Sequence, residues 1–209
     1  MLTDDDLREQ SRRIRSEATK VLELTGIEKV LQRYGTVELL GSYAYDVMLA
    51  RDIDFHVVVP VLEPPLAHQF FDWAASSGRF EYVSFHDKHG FNRRAAGRYP
   101  TKQALDSYYF GLRLWFDDHE WQIGINFITA PQHISEEIVV LMSQASEEQR
   151  RRIIRFKYEL QQLDAAVSSA FVYRGVLEQD KHTMSELVSY LSTLGYQIGP
   201  AAGKITHSH

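Results

Sequence analysis

Two aspartates one residue apart, Asp52 and Asp54, run into the apolar stretch Phe55-His56-Val57-Val58-Val59. In an extended strand they point to the same face, roughly 6–7 Å apart. Carboxylates that close raise each other's pKa unless a cation relieves them. A hard divalent ion such as Mg²⁺ is commonly held by one or two carboxylates together with substrate phosphates. The plain alternative is an exposed strand end. A short way upstream, Gly41-Ser42 follows the short strand-like segment Val37-Glu38-Leu39-Leu40, and residues 43–50 are expected to begin a short helix. Glycine lets backbone approach an anion closely, and N–H groups at a helix start, with a serine hydroxyl, can bind phosphate oxygens. A phosphate cradle beside a metal platform is the apparatus of phosphoryl or nucleotidyl transfer.

The ordered pattern is Gly41-Ser42, the nine residues 43–51, then Asp52-Ile53-Asp54-Phe55. It resembles the signature of the DNA polymerase β-like nucleotidyltransferase superfamily, and the resemblance spans roughly residues 30–130. It implies an α+β fold, a small mixed β-sheet flanked by helices, followed by a helical C-terminal region of variable type. The implied activity is transfer of a nucleoside monophosphate from an NTP, here expected to be ATP, to a hydroxyl of a small molecule or protein. Gly41 and Ser42 would contact the β- and γ-phosphates. Asp52 and Asp54 would be the catalytic metal ligands, for Mg²⁺ or Mn²⁺.

Members of the superfamily carry a third carboxylate on a later strand, and the matching strand here is Trp121-Gln122-Ile123-Gly124-Ile125-Asn126-Phe127-Ile128. Alternation puts Gln122, Gly124 and Asn126 on one face, and none is acidic, although relatives often have Asp where Gly124 stands. Glu120 shares that face but lies four residues, roughly 13 Å, from Gly124 in an extended strand. The missing acid weakens the second metal and the general base. It therefore supports an alternative: a degraded nucleotidyltransferase fold that binds nucleotide or a protein partner, as antitoxin-like members do, or a second copy of itself.

Arg93, Arg94, Arg98 and Lys102, with Tyr99 among them, sit in a polar stretch from residue 86 to 102 read as a long loop. They could clamp a triphosphate or simply be a solvated basic loop, and Arg94 is the nucleotide-binding candidate among them. Arg113 alternates with Leu112 and Leu114, so it points away from the core and is a second nucleotide-binding candidate. His56 shares the aspartate face, where a hydrogen-bonding role is the simpler reading. His86, Asp87 and His89 do not complete a zinc set. The charged run at 147–162 has apolar residues at helical spacing and reads as an amphipathic helix rather than a nucleic-acid patch.

The positioning elements follow from periodicity and punctuation. Residues 3–33 read as helix with a break at Gly26, residues 37–40 and 52–59 as strands, and 66–77 as helix. Residues 80–85 are strand-like. Residues 108–116 and 121–129 form a hairpin around Asp117-Asp118-His119-Glu120. Beyond Pro131 the pattern is helical. Ser146 with Gln149, and Thr183 with Glu186, have capping-box spacing. The division expected is residues 1–130 as the nucleotidyltransferase-like domain and 131–209 as the helical region.

Composition narrows the partners. The 209 residues carry a net charge of −5, which argues against an electrostatically driven nucleic-acid binder. No apolar run approaches the ~20 residues of a membrane helix. The acidic N-terminus does not read as a secretory signal, and cysteine is absent. A cytoplasmic location is expected.

Overall fold

The structure, a computed structural model, describes residues 2–88, 106–130 and 133–198, with side chains of the last segment from residue 136. The basic cluster Arg93, Arg94, Arg98 and Lys102, with Tyr99 and His89, lies outside the described residues, as do His207 and His209. Eight helices and five strands occur among the described residues. In order they are α1 (Asp4–Thr25), α2 (Ile27–Leu31), β1 (Thr36–Leu40), α3 (Gly41–Ala44), β2 (Asp52–Val58), α4 (Pro64–Ser76) and β3 (Tyr82–Asp87). Then follow β4 (Tyr108–Phe116), β5 (His119–Ile128), α5 (His133–Ser143), α6 (Glu147–Gln162), α7 (Ser169–Leu177) and α8 (Met184–Thr193). None is long and apolar enough to cross a membrane.

The chain divides into two compact units. The first contains residues up to Arg13, the short segment Tyr45–Leu49, and the helices from Glu136 onward. The second contains Ile14–Ala44 and the residues described between Ala50 and Ser135.

The second unit is built on a five-stranded mixed sheet in the order β1-β2-β5-β4-β3. Among the described strands only β2 and β5 run parallel; every other pair is antiparallel. Strand alternation gives the sheet two unlike faces. On one, Ile53, Phe55, Val57, Phe110, Leu112, Ile123, Ile125 and Phe127 are buried. Phe70 of α4 packs there, its ring 4.8 Å from Phe110 and 5.3 Å from Phe127. Tyr34 adds an edge-on contact to Phe127 at 5.7 Å. Such edge-to-face aromatic pairs contribute beyond the area they bury. The other face is polar and carries the candidate chemistry.

Several local signals take effect as expected. Gly26, at φ +59°, separates α1 from α2. Both capping boxes form, at Ser146–Gln149 and Thr183–Glu186. Gly35 is fixed by space: a β-carbon there would lie 2.1 Å from the Val58 carbonyl oxygen. The hairpin differs from its expected four-residue turn. Asp117 and Asp118 both take left-handed backbone, φ +51° and +59°, so a two-residue primed turn suffices and β5 begins at His119.

The first unit buries Ile153, Ile154, Phe156 and Leu160 of α6 with Val172 and Val176 of α7 and Leu187 and Leu191 of α8, so the run at 147–162 is an amphipathic packing helix. It also fixes Tyr45–Leu49 by the backbone. Arg150 donates to the Tyr45 carbonyl at 2.6 Å, Arg8 to that of Asp46 at 2.7 Å, and the buried Lys157 to that of Val47 at 2.9 Å. Arg8 is 3% exposed and also pairs with the carboxylates of Asp46 and Glu147. Hydrogen bonds to charged donors of this kind are about twice as strong as neutral ones.

Candidate functional site

The polar sheet face is laid out in rows by the strand register. Asp52 stands opposite Gln122, which stands opposite Arg113; Asp54 lies beside Gly124, then Gly111; His56 beside Asn126, then Tyr109. The row of Asp54 is therefore nearly bare of side chains, while its neighbours are polar. Residue β-carbons alternate, so Ile53 and Phe55 go to the core as their neighbours go to the site.

Gly41 and Ser42 open the single turn α3 directly after β1. The turn starts at Gly41, earlier than residue 43, and Gly41 takes left-handed backbone, φ +69°. A β-carbon on Gly41 would stand 2.6 Å from the Asp54 carboxylate oxygen Oδ2. The Gly-Ser turn and the second aspartate are thus in direct apposition, and only glycine fits the contact. α1 holds the turn from behind: Arg15 Nε donates to the Tyr43 carbonyl at 3.0 Å, and the Thr19 and Tyr43 hydroxyls lie 3.1 Å apart.

The two aspartates sit in different surroundings. Asp54 is exposed, whereas Asp52 is half-buried, with Oδ1 buried and without a hydrogen-bond partner. An orphaned buried carboxylate oxygen carries a desolvation cost. Two carboxylates on one strand face are the kind of donor set a hard divalent ion takes, and a cation beside them would offset that cost. Among the described residues no group of three or more His, Asp or Glu side chains converges on one point.

Glu120 does not supply the missing acid. It lies within β5 opposite Trp115 and faces Arg113 at 3.6 Å. Arg113 does lie on the aspartate face, two strands and roughly 10 Å from Asp52 by strand spacing, with Tyr82 at 5.3 Å under its guanidinium. His86 is likewise on this face, its ring 5.8 Å from that of Tyr109.

The row of His56 contains groups that sequence pattern did not single out. Lys88 places Nζ 4.1 Å over the Tyr109 ring and 3.4 Å from Asn126 Oδ1. His56 is 8% exposed, with Nδ1 buried and unpartnered. Burial, with the nearby Lys88 charge adding to it, pushes its pKa down to about 4, so it is neutral at pH 7. Tyr109 could have been found by extending the alternation of Arg113 back along β4; Lys88 had no periodic signal.

No protein-family model matches this sequence, and no curated protein does. Solved structures do. The chain is similar to the Cid1 poly(U) polymerase, described with Mg and 3′-dATP bound, at TM-score 0.52 and 15% identity over 84% of this chain and 55% of that one. It is also similar to a cytoplasmic RNA terminal U-transferase (TM-score 0.46, 14% identity, 84% and 46% covered). A third is the polymerase core of TRAMP, an RNA surveillance complex (TM-score 0.45, 11% identity, 93% and 60% covered). The chain spans about half the length of these proteins. At 15% identity the first of these matches shows the fold alone: the chain has the nucleotidyltransferase fold.

Proposed function

We propose that this protein is a metal-dependent nucleotidyltransferase that moves a nucleoside monophosphate from an NTP to a hydroxyl of a small molecule or protein. The observation that carries this reading is the apposition of the left-handed Gly41 to the Asp54 carboxylate, beside the unpartnered Asp52 Oδ1. Asp52 and Asp54 would hold Mg²⁺ or Mn²⁺, which supplies charge neutralisation at the phosphates when bound. Gly41 admits phosphate oxygens close to the backbone, and Ser42, buried in the same turn, is assigned the neighbouring phosphate contact. Arg113, drawn from Glu120, would meet the polyphosphate or the acceptor's charge, and Arg94 is assigned the same role. His56, neutral at pH 7, adds no second positive charge beside the metal. ATP is the expected nucleotide. The similar poly(U) polymerase is described for UTP selectivity and with 3′-dATP bound, so both bases belong in the test.

The bare Gly124 favours a second reading, a nucleotide- or partner-binding protein without transfer activity. Both readings require the same first measurement: calorimetric titration of ATP, and then of the other three NTPs, with and without Mg²⁺, on wild type and on Asp52→Asn/Asp54→Asn. The expected result is binding that depends on Mg²⁺ and is lost in the double variant. Silence of the wild type with all four nucleotides overturns the assignment. Mg²⁺-dependent binding with no label transferred from α-³²P-ATP to the protein or to a panel of hydroxyl acceptors selects the second reading.

A further inference from the structure

The row Asp54–Gly124–Gly111–Ser84 of the site face crosses four strands with two adjacent glycines at its centre. Two glycines side by side on neighbouring strands leave a trough. It is not open, because the Tyr109 ring lies in it. A β-carbon on Gly111 would meet Tyr109 Cε1 and its hydroxyl oxygen at 3.5 Å; one on Gly124 would meet Cε2 at 3.6 Å and that same oxygen at 3.5 Å. The phenol thus reaches across from β4 to β5. That same β-carbon on Gly124 would stand 2.9 Å from Asp54 Oδ1. Tyr109 Oη and a carboxylate oxygen of the metal platform therefore flank one and the same point, the point from which an acidic side chain at 124 would start.

Lys88 holds the phenol there. Its ammonium 4.1 Å over the ring is in cation–π range, and its contact with Asn126 Oδ1 ties it to β5. A β-carbon at 124 would make the Asp54 carboxylate shift, and any acidic group carried on it would start in contact with the Tyr109 ring. Without substrate phosphates, two divalent ions ~4 Å apart repel each other more than the Asp52–Asp54 pair alone can offset.

We infer that Tyr109 takes the space of a third acidic ligand, so that this site holds a single divalent ion with the Tyr109 hydroxyl beside it. The inference rests on the proposed metal role of Asp52 and Asp54. A hydroxyl there, in place of a third carboxylate, leaves the platform with two carboxylates, whose formal charge one Mg²⁺ or Mn²⁺ balances.

The test counts ions and does not read activity. Mn²⁺ alone is titrated into the protein and the free ion is followed by its electron paramagnetic resonance signal. Wild type is expected to take one ion, Asp52→Asn/Asp54→Asn none, and Tyr109→Ala/Gly124→Asp two. Gly124→Asp alone should still take one and melt at a lower temperature, because its β-carbon would stand 2.9 Å from Asp54 Oδ1 and against the Tyr109 ring. A second measurement needs no folded variant at 124: in protein labelled with 3-fluorotyrosine, the Tyr109 ¹⁹F resonance, identified by its loss in Tyr109→Phe, should be the one broadened most at low Mn²⁺. Two ions in the wild type, one ion in a folded Tyr109→Ala/Gly124→Asp, or a Tyr109 resonance no broader than the rest overturns the inference while leaving the metal role standing. No Mn²⁺ binding by the wild type overturns both.

Discussion

His56 gives this fold a defined sensitivity to acid. Its imidazole stands on the aspartate face, almost wholly buried, with Nδ1 unpartnered. Burial and Lys88 push its pKa from 6.5 down to about 4. The unfolded chain therefore binds a proton at this residue between about pH 6.5 and 4 that the folded chain does not, so stability falls as pH drops through that window. A tenfold difference in proton affinity between the two states corresponds to about 1.36 kcal/mol. The full penalty approaches ~3.4 kcal/mol below pH 4, and about 2 kcal/mol of it is reached by pH 5. The perturbation is His56→Gln, which keeps a polar group of similar reach but cannot titrate. Urea unfolding followed by tryptophan fluorescence, in EDTA at about pH 7.5, 6 and 5, gives ΔG for both proteins. All other titrations are common to the pair. Wild type should lose about 2 kcal/mol more than the variant between pH 7.5 and 5. Parallel curves for the two proteins would refute the reasoning, since they would mean that His56 is charged equally easily in folded and unfolded chains.

Two further outcomes check the scaffold. Gly35→Ala would place a methyl 2.1 Å from the Val58 carbonyl oxygen; forcing β1 and β2 apart should cost about 3 kcal/mol, read as a lower urea midpoint at unchanged slope. Ser146→Ala removes the hydroxyl that accepts from the Gln149 N–H at 3.1 Å; half of that capping box is lost, and about 1 kcal/mol of stability in the helical unit with it.

Local rules made much of this fold legible, because they act over a few residues. The break at Gly26, both capping boxes and the strand carrying Asp52 and Asp54 depend on backbone preference and alternation alone. The spacing from Gly41-Ser42 to Asp52 was enough to indicate the fold, since the turn and the strand end must meet for the pattern to exist. The Asp117-Asp118 turn is shorter than its sequence suggests, because paired left-handed aspartates leave a weaker mark than Asn-Gly. Cross-strand company is what the sequence could not supply. That Gly111 faces Gly124, and that the Tyr109 ring fills the space both leave, depends on the register of β4 against β5. Lys88 over that ring joins β3's end to β4 across a long intervening stretch of chain. The absence of an acid at 122, 124 or 126 was readable; the phenol beside Asp54 was not.

The strict alternation of β2 has a bearing on how the chain finds its fold. Asp52, Asp54 and His56 share its length with Ile53, Phe55 and Val57, one set on each face. A strand that paired one residue out of step would turn every side chain over. Two carboxylates would then enter the apolar layer around Phe70, and three large apolar groups would meet water. The cost of such a slip is far above that in a strand whose outer face is merely threonine or serine. The candidate chemical groups thus also act as proofreaders of register, penalising mispaired intermediates before any ligand is present. The residues that give one face of the sheet its polar character are thus the same three that restrict the strand to a single register.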